Sequence, residues 1–329
     1  MKILIIGDKY RYDWLTPRSS IPPDAELVFF DTGTDDSTLI RAGADADILL
    51  ADAIAKVSRN LIAHMPNLRL IHSEGVGYDA IDIGAAKERG IFVCNNKGCN
   101  ATAVAEQALL LMLGLLRSVV PGDRSVRQGN QYEAKLNAMR TGITELRYSK
   151  VGLVGMGAIG QSTATLLRVF ECDVYYYSPH RRDELEESYL AVSYLPLDEL
   201  VAKVDILSLH AAVTPESAGL VNAELLSRMK PTAYLINTAR GELVDNAALR
   251  EAIITGRIAG AGLDTIYPEP TTKDNPLVDL PPEHQDKVLY SPHFGGITTA
   301  SMYRAQRHMW QNVARVARGD RPDCIVNGV

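Results

Sequence analysis

Short apolar runs recur along the chain, each followed by polar or glycine-rich residues and often by a stretch with helical periodicity. Runs without polar alternation indicate strands that are buried on both faces, and such strands form parallel sheets covered by helices. Before residue 100 the predicted strands are Lys2–Ile6, Glu26–Phe30, Asp47–Ala51, Leu68–His72 and Gly90–Cys94. After residue 150 they are Val151–Val154, Asp173–Ser178, Asp205–His210, Thr232–Asn237, Ile258–Gly262 and Val288–Tyr290. The pattern predicts an α/β protein with two doubly wound parallel-sheet domains.

Two predicted helices stand apart from the alternating pattern. Residues Ala103–Arg117, between the two strand series, are apolar on nearly all sides, which indicates a helix buried among other elements. The last helical stretch, Thr298–Arg318, follows the final strand, and we expect it to return to the first domain.

Residues 151–160, VGLVGMGAIG, place three glycines between a predicted strand and a predicted helix. In this context the spacing Gly155-x-Gly157-x-x-Gly160 predicts a dinucleotide-binding loop. The first glycine permits a tight turn, the second lets backbone N–H groups approach a pyrophosphate, and the third lets the helix pack close to the strand. The phosphates would then lie at the positive end of the helix.

The next predicted strand, DVYYYS, ends without an acidic residue. In dinucleotide-binding folds an Asp or Glu at this place binds the ribose hydroxyls of NAD, and its carboxylate would repel a 2′-phosphate. Here the position is Ser178, and His180, Arg181 and Arg182 follow it. Serine with basic residues favours NADP(H) over NAD(H). The alternative is a solvated loop whose arginines pair with Asp183, Glu184 and Glu186.

Composition excludes several classes of protein. The net charge of −6 argues against a nucleic-acid partner. The longest apolar stretch is well below the ~20 residues that span a bilayer, and the N-terminal apolar run is too short for a signal peptide. The four cysteines form neither a disulfide framework nor a zinc motif. We therefore expect a cytoplasmic, metal-free protein with no membrane partner.

Polar residues follow three successive predicted strands in the second series. They are Arg240, then Asp264 and Glu269, then His293. All would lie at the carboxyl ends of parallel strands, where open α/β sheets bind ligands. Arginine grips a carboxylate bidentately, histidine exchanges a proton with an oxygen, and glutamate orients the imidazole. With a nicotinamide, these residues predict hydride transfer to a 2-keto acid.

Six segments carry a resemblance to a known family. They are EGVGYDAID (74–82), GCNATAVAEQ (98–107), VGLVGMGAIG (151–160), LHAAVTPESAGLVNAELLSRMKPTAYLINTARGELVD (209–245), GAGLDTIYPEP (260–270) and SPHFGG (291–296). Over almost its whole length the chain resembles the D-isomer-specific 2-hydroxyacid dehydrogenases. The resemblance implies a flavodoxin-like substrate domain of residues 1–103 and 294–329, with an inserted Rossmann dinucleotide-binding domain of residues 104–293. It also implies a homodimer joined through the cofactor domains.

The resemblance also implies roles for individual residues. Arg240, Glu269 and His293 take the catalytic roles, and the backbone N–H groups of Val76 and Gly77 hold the substrate carboxylate. The implied cofactor contacts, besides the three glycines and residues 178–182, are Thr102, Ala158, Ile159, His210, Ala211, Thr238, Ala239, Asp264 and Gly295. The residues before Gly75 and the loop 51–56 would shape the pocket for the substrate side chain. The chain departs from many members in carrying Ser178 instead of Asp and Ala212 instead of proline.

The favoured function is an NADP(H)-preferring reductase of a small 2-keto acid, with glyoxylate or hydroxypyruvate as the leading substrate. One alternative is phosphoglycerate dehydrogenase, which would need further basic residues near Val76, with Arg69 and Lys97 as candidates. Another, from a different class, is a dinucleotide-sensing corepressor-like binding protein. Formate dehydrogenase is disfavoured because that family carries Gln where Glu269 stands.

Overall fold

The computed structural model describes residues 1–329, which form two compact α/β units. One unit comprises Met1–Asn100 and Ile297–Val329, and the other comprises Ala101–Gly296. These boundaries lie three residues from the predicted ones, which fall after residues 103 and 293.

The elements alternate between strands and helices in both units. The strands are β1 (Lys2–Ile6), β2 (Glu26–Phe30), β3 (Ile48–Ala51), β4 (Leu70–Ser73), β5 (Phe92–Cys94), β6 (Lys150–Val154), β7 (Asp173–Tyr177), β8 (Val192–Tyr194), β9 (Ile206–Leu209), β10 (Tyr234–Asn237), β11 (Gly260–Leu263) and β12 (Val288–Tyr290). The α-helices are α1 (Lys9–Leu15), α2 (Asp36–Gly43), α3 (Arg59–Ala63), α4 (Ile83–Glu88), α5 (Ala101–Leu116), α6 (Val119–Arg127), α7 (Gln131–Thr141), α8 (Ala158–Val169), α9 (Glu184–Leu190), α10 (Leu197–Lys203), α11 (Ala223–Arg228), α12 (Asn246–Ile254) and α13 (Thr299–Ala317).

The first unit contains a five-stranded parallel sheet in the order β2-β1-β3-β4-β5. Its central strands are buried on both faces, because neighbouring residues of one strand enter different cores. Ile3 and Ile5 pack with Met309 and Trp310 of α13. Leu4 lies in the opposite core, with residues of α2 and α3. The strand order reverses between β1 and β3, which is the place where such sheets bind ligands.

The second unit contains a seven-stranded parallel sheet in the order β12-β11-β10-β9-β6-β7-β8. Strands β6 to β8 follow one another in one direction across the sheet, and β9 to β12 follow in the other. The strand order therefore reverses between β6 and β9, as in dinucleotide-binding folds. Helix α5 has ten buried residues and packs against β10, β11 and β12. A Cβ on Gly262 of β11 would lie 2.9 Å from Cβ of Leu111 in α5, so the glycine permits this close packing. The predicted fold class and the buried helix are confirmed.

Three elements have no counterpart in the sequence prediction. Strand β8 is a three-residue edge strand, too short to give a recognisable apolar run. Helices α6 and α7 contain no buried residue, and their apolar residues are exposed. No single helix is long and apolar enough to cross a membrane, although α5 and α6 reach that length together across a bend of 59°. No group of three or more His, Cys, Asp or Glu side chains is placed to hold a metal ion.

Candidate active site

The glycine loop joins β6 to α8, where the order of the second sheet reverses. Gly155 has a φ of +101°, and a Cβ there would lie 2.6 Å from the carbonyl oxygen of His210. A Cβ on Gly160 would overlap the carbonyl oxygen of Gly155. These two glycines are therefore required by the backbone itself.

Gly157 differs from the other two glycines because a Cβ there would meet nothing within 4 Å. It is the N-cap residue of α8, and no side chain caps this helix end. The first N–H groups of α8 therefore face open space, where the helix dipole favours negative charge. This opening suits a pyrophosphate.

Three buried polar atoms near this loop have no hydrogen-bond partner in the protein. They are Nδ1 of His210, Oγ1 of Thr238 and Nε of Arg182, which follow β9, β10 and β7. Burial lowers the pKa of His210 to about 4, so its ring is neutral at pH 7. Buried polar groups in native proteins are almost always paired. These unpaired atoms therefore fit a polar ligand such as a dinucleotide.

The loop after β7 carries the residues predicted to recognise the adenosine ribose. Ser178 is half-buried, His180 is exposed, and neither side chain forms a hydrogen bond within the protein. Nη2 of Arg182 donates to the carbonyl oxygen of Met156 at 2.6 Å, which ties this loop to the glycine loop. Ser178 and His180 are therefore available to a ligand beside the glycine loop.

Arg181 is engaged elsewhere. Its Nε and Nη2 atoms each donate to a carboxylate oxygen of Glu187 at 2.8 Å, and its guanidinium lies 5.5 Å from the ring centre of Tyr194. The hydroxyl of Tyr176 donates to the same carboxylate at 2.8 Å. The structure thus disfavours the prediction that Arg181 contacts the cofactor. The sequence prediction missed Glu187 because it considered only the acidic residues closest to the arginines.

His293 and Glu269 form a direct pair in the second unit. Nδ1 of His293 lies 2.7 Å from Oε1 of Glu269. A carboxylate can only accept, so Nδ1 carries the proton of this hydrogen bond and Nε2 is left for a substrate oxygen. The side chains are 43% and 50% exposed, respectively, so a ligand can reach them. The pair can give or take one proton at Nε2.

The turn that carries His293 is fixed by Asp264. His293 has a φ of +56°, which is uncommon for a residue with a Cβ. Its N–H donates to the carbonyl oxygen of Asp264 at 2.9 Å. The Asp264 carboxylate accepts from Ser291 Oγ at 2.5 Å and from the N–H groups of Phe294 and Gly295 at 2.9 Å. Asp264, predicted to lie near the nicotinamide, is therefore a positioning residue for this turn.

Arg240 follows β10, the neighbour of β11 in the sheet. Asn237 orders the loop, since Oδ1 accepts from the N–H of Ala239 at 3.0 Å and Nδ2 donates to the carbonyl oxygen of Arg240 at 2.9 Å. The guanidinium of Arg240 donates only to the carbonyl oxygen of Ala239 and has no carboxylate partner. A half-buried arginine without an ion pair is available to bind a substrate carboxylate.

The segment predicted to bind the substrate carboxylate, residues 74–77, follows β4 in the first unit. Each of its four carbonyl oxygens accepts a hydrogen bond from the protein, the donors being Asn96 for the first two, then Asn95 and Ser73. The N–H groups of Val76 and Gly77 have no acceptor in the protein. Two unpaired backbone donors next to each other suit an anion.

Three further residues predicted to contact the cofactor are Thr102, Ala211 and Ala239. Thr102 is exposed in the first turn of α5, Ala211 is half-buried after β9, and Ala239 is buried after β10. Of these three residues only Thr102 has a polar side chain, and it forms no hydrogen bond with His293 or Glu269.

Comparison with known proteins decides the family. Residues 109–295 match the model of the D-isomer specific 2-hydroxyacid dehydrogenase family, NAD binding domain. The chain belongs to this family. A glyoxylate reductase of Thermofilum pendens is 37% identical over 289 residues, which cover 88% of this chain and 84% of that protein. A D-3-phosphoglycerate dehydrogenase of Mycobacterium tuberculosis is 34% identical over 328 residues, which cover 99% of this chain but 59% of that protein.

A solved structure has the same fold. The TT0316 protein of Thermus thermophilus is 31% identical, with a TM-score of 0.84, and the match covers 99% of this chain and 100% of that chain. This dehydrogenase is therefore an NAD-dependent type of oxidoreductase that acts on 2-hydroxy or 2-keto acids. The assignment favours an enzyme over the corepressor-like alternative.

Gly157→Val should weaken cofactor binding without destabilising the fold. The added side chain would enter the open space at the N-terminus of α8, while nothing in the protein lies within 4 Å of its Cβ. We expect the dissociation constant for the reduced cofactor to rise at least about tenfold, which corresponds to ~1.4 kcal/mol. Fluorescence titration with NADPH and NADH measures it. A matched control is Gly33→Val, whose Cβ also meets nothing within 4 Å. Unchanged affinity at residue 157 would mean that the pyrophosphate lies elsewhere.

Proposed function

We propose that this dehydrogenase is an NADPH-preferring reductase of small 2-keto acids, with glyoxylate and hydroxypyruvate as the leading substrates and D-2-hydroxy acids as products. The observation that carries the proposal is the His293–Glu269 pair, whose Nδ1 and Oε1 atoms are 2.7 Å apart. Arg240 follows β10, two strands from β12 in the same sheet, and has no carboxylate partner. The similarity to glyoxylate reductases supports the substrate class.

Arg240, His293 and Glu269 each have a separate role in the proposed reduction. Arg240 grips the keto acid and polarises its carbonyl group. His293, protonated at both ring nitrogens, donates a proton from Nε2 to the carbonyl oxygen. Glu269 holds the Nδ1 proton and stabilises the imidazolium by its charge. The bound nicotinamide would supply the hydride that the carbonyl carbon receives. Val76 and Gly77 remain proposed contacts to the substrate carboxylate.

The geometry around Glu269 supports its positioning role. It lies between Pro268 and Pro270, and each proline restricts the backbone next to the glutamate. Asn275 Nδ2 donates to the carbonyl oxygen of Tyr267 at 3.0 Å, and Asn246 Nδ2 donates to the same oxygen at 2.5 Å. The carboxylate is therefore presented to His293 by a restrained loop.

The NADPH preference rests on the loop after β7. Ser178 supplies a neutral hydroxyl where a carboxylate would repel the 2′-phosphate, and His180 and Arg182 supply donors. Nε of Arg182 is buried without a partner, so its N–H can still donate to an acceptor atom of a ligand. Arg181 contributes to the proposal only by ordering the loop through Glu187.

Oxidation of NADPH and NADH with a panel of keto acids tests the proposal. The panel contains glyoxylate, hydroxypyruvate, pyruvate and 3-phosphohydroxypyruvate. We expect the highest kcat/KM with NADPH and one of the first two acids. If no keto acid is reduced with either cofactor, the proposed function is wrong.

Phosphoglycerate dehydrogenase remains the second candidate because of the 34% identity over nearly the whole chain. The basic residues predicted to bind its phosphate do not support it. Arg69 precedes β4, at the amino edge of the sheet and opposite residues 74–77, and its Nη1 donates to the carbonyl oxygen of Val316 at 3.1 Å. Lys97 is exposed. A kcat/KM for 3-phosphohydroxypyruvate above that for hydroxypyruvate would favour the second candidate.

We further propose a homodimer joined through the cofactor unit, in the cytoplasm. Helices α6 and α7 have no buried residue, yet together they expose Val119, Val120, Val126, Tyr132 and Met139 by 45% or more. An exposed apolar surface of this kind marks a protein interface. Sedimentation equilibrium should give twice the mass of the 36.0 kDa chain, and a monomer at micromolar concentration would contradict it.

A further inference from the structure

One arginine and two carboxylates meet at the carboxyl edge of the five-stranded sheet. Arg11 lies on α1, which follows β1, whereas Asp52 directly follows β3 and Glu74 directly follows β4. Strands β1 and β3 are the neighbours between which the strand order reverses. Flavodoxin-like sheets bind ligands at this point.

The two carboxylates accept hydrogen bonds from the same guanidinium nitrogen of Arg11. Nη2 of Arg11 donates to Oδ2 of Asp52 at 2.6 Å and also to Oε2 of Glu74. Gln306 of α13 donates to the other oxygen of Glu74 at 2.5 Å. The side chains of Arg11, Asp52 and Glu74 are 31%, 16% and 10% exposed, so the cluster is mostly buried but remains accessible from one side. Nε of Arg11 is buried without a partner.

This cluster adjoins the proposed carboxylate-binding segment. Glu74 is the first residue of that segment, and the unpaired N–H groups of Val76 and Gly77 follow two and three residues later. A Cβ on Gly75 would lie 2.7 Å from Cβ of Ala53, so the loops after β3 and β4 are in contact. A keto acid whose carboxylate binds to these N–H groups would therefore be bound beside the cluster.

The charge of the cluster is not balanced. One guanidinium faces two carboxylates, which sums to −1 when both are ionised. Burial raises the pKa of Glu74 to about 7; Arg11 opposes this shift and Asp52 adds to it. The cluster therefore passes from neutral to negative as the pH rises through neutrality.

We propose that Asp52 and Glu74, by occupying Arg11, restrict the substrate to 2-keto acids whose distal group carries no negative charge. The inference rests on the proposed function and names the residues that set its substrate class. A distal carboxylate or phosphate would meet net negative charge, and the one arginine that could bind it is already engaged. Glyoxylate and hydroxypyruvate carry no second charge, whereas dicarboxylic and phosphorylated keto acids do.

A pair of substrates of equal size isolates the effect of charge. Oxaloacetate and its C4 amide, 2-oxosuccinamate, differ mainly in whether the distal group is a carboxylate or a neutral amide. The ratio of their kcat/KM values is measured with NADPH for the wild type, Glu74→Gln and Asp52→Asn, with glyoxylate as the internal standard. Asp45→Asn is the matched control, because it removes one negative charge at the amino edge of the same sheet, where Asp45 pairs with Lys2 at 2.6 Å.

The wild type should prefer the amide by at least tenfold. Each of Glu74→Gln and Asp52→Asn should reduce this preference at least tenfold, because the cluster is then neutral and no longer repels a distal carboxylate. The activity of each variant with glyoxylate normalises its ratio, and Asp45→Asn should keep the wild-type ratio. Glu74→Gln keeps one acceptor oxygen and replaces the other by an amide donor, so it can accept from Arg11 or from Gln306 but not from both. A purely structural effect of this change would act on both acids alike and leave the ratio unchanged.

The pH dependence of the ratio gives a second readout. The charged or polar groups that face Glu74 are Arg11 and Tyr12 from α1, Asp52 after β3, and Gln306 from α13. Because Glu74 gains its charge as the pH rises through about 7, the relative kcat/KM for oxaloacetate should fall over this range in the wild type. In Glu74→Gln the ratio should be flat.

The outcomes separate this inference from the proposed function. Reduction of glyoxylate with equal use of oxaloacetate and its amide by the wild type would overturn the inference alone. Equal exclusion of both acids from the wild type and both variants would also overturn it, since size and not charge would then set the limit. Failure to reduce any of the acids, glyoxylate included, would overturn the proposed function and this inference with it.

Discussion

Arg240→Lys should lower kcat/KM for the keto acid by roughly 30- to 1,000-fold, which corresponds to a loss of ~2–4 kcal/mol of transition-state stabilisation. Lysine keeps the positive charge but loses the planar fork that holds a carboxylate and polarises a carbonyl at the same time. Arg240 has no carboxylate partner in the protein, so the substitution breaks no ion pair. Steady-state kinetics with glyoxylate measure the effect.

The control for this substitution is Arg228→Lys. Arg228 is exposed at the end of α11 in the same unit, and it pairs with Asp198 and Glu224 on the surface. Exposed ion pairs contribute little, so this variant should keep wild-type kinetics. If Arg240→Lys also kept wild-type kinetics, the substrate would be held by other residues and the assigned role of Arg240 would be wrong.

Ser178→Asp should reverse the cofactor preference. The new carboxylate would lie within about 4 Å of a 2′-phosphate, where each pair of unit charges costs ~4 kcal/mol at an effective dielectric constant of ~20, before screening and relaxation. Because the 2′-phosphate is nearly doubly charged, it forms almost two such pairs. A quarter of their summed cost would still lower the affinity for NADPH more than tenfold. The same carboxylate would accept the ribose hydroxyls of NADH. KM for NADPH should therefore rise at least tenfold, with kcat roughly unchanged and activity with NADH improved.

Ser188→Asp provides the matched control for added charge. Ser188 is exposed on α9, the helix that follows the ribose loop, so the same charge is added away from the loop itself. Its cofactor preference should stay that of the wild type. A wild type that already prefers NADH at low salt would show that the loop after β7 is a solvated loop without a phosphate contact.

The apolar pattern predicted the sheets well because their central strands are buried on both faces. β1, β2 and β12 begin and end at the predicted residues, and most other strands differ by one or two. Burial on both faces gives an uninterrupted apolar run, which is a strong signal. Helices α6 and α7 carry no uninterrupted apolar run of this kind, and none of their residues is fully buried.

The pairing of charged side chains could not be predicted from the sequence. Arg181 stood in a basic cluster that suits a phosphate, but Glu187, one helical turn into α9, takes its guanidinium. Arg11, Asp52 and Glu74 lie up to 63 residues apart, and only the order of β1, β3 and β4 brings them together. Local sequence gives residue types at strand ends, but the strand order decides which of them meet.

The backbone conformation of His293 could not be predicted from the sequence. The sequence placed it after a strand, together with a glutamate from the preceding loop. The left-handed backbone at His293 and the three hydrogen bonds that Asp264 accepts from this turn depend on tertiary contacts. The resemblance implied a cofactor contact for Asp264, and its role in shaping the turn was not predicted.

The product formed from hydroxypyruvate tests the central claim most directly. The wild-type protein is incubated with hydroxypyruvate and NADPH, and the glycerate formed is resolved by chiral chromatography while the cofactor consumed is followed by absorbance. The account predicts D-glycerate in a one-to-one ratio with the NADPH oxidised, and none in a His293→Ala variant. Formation of L-glycerate, or undiminished turnover by that variant, would contradict it.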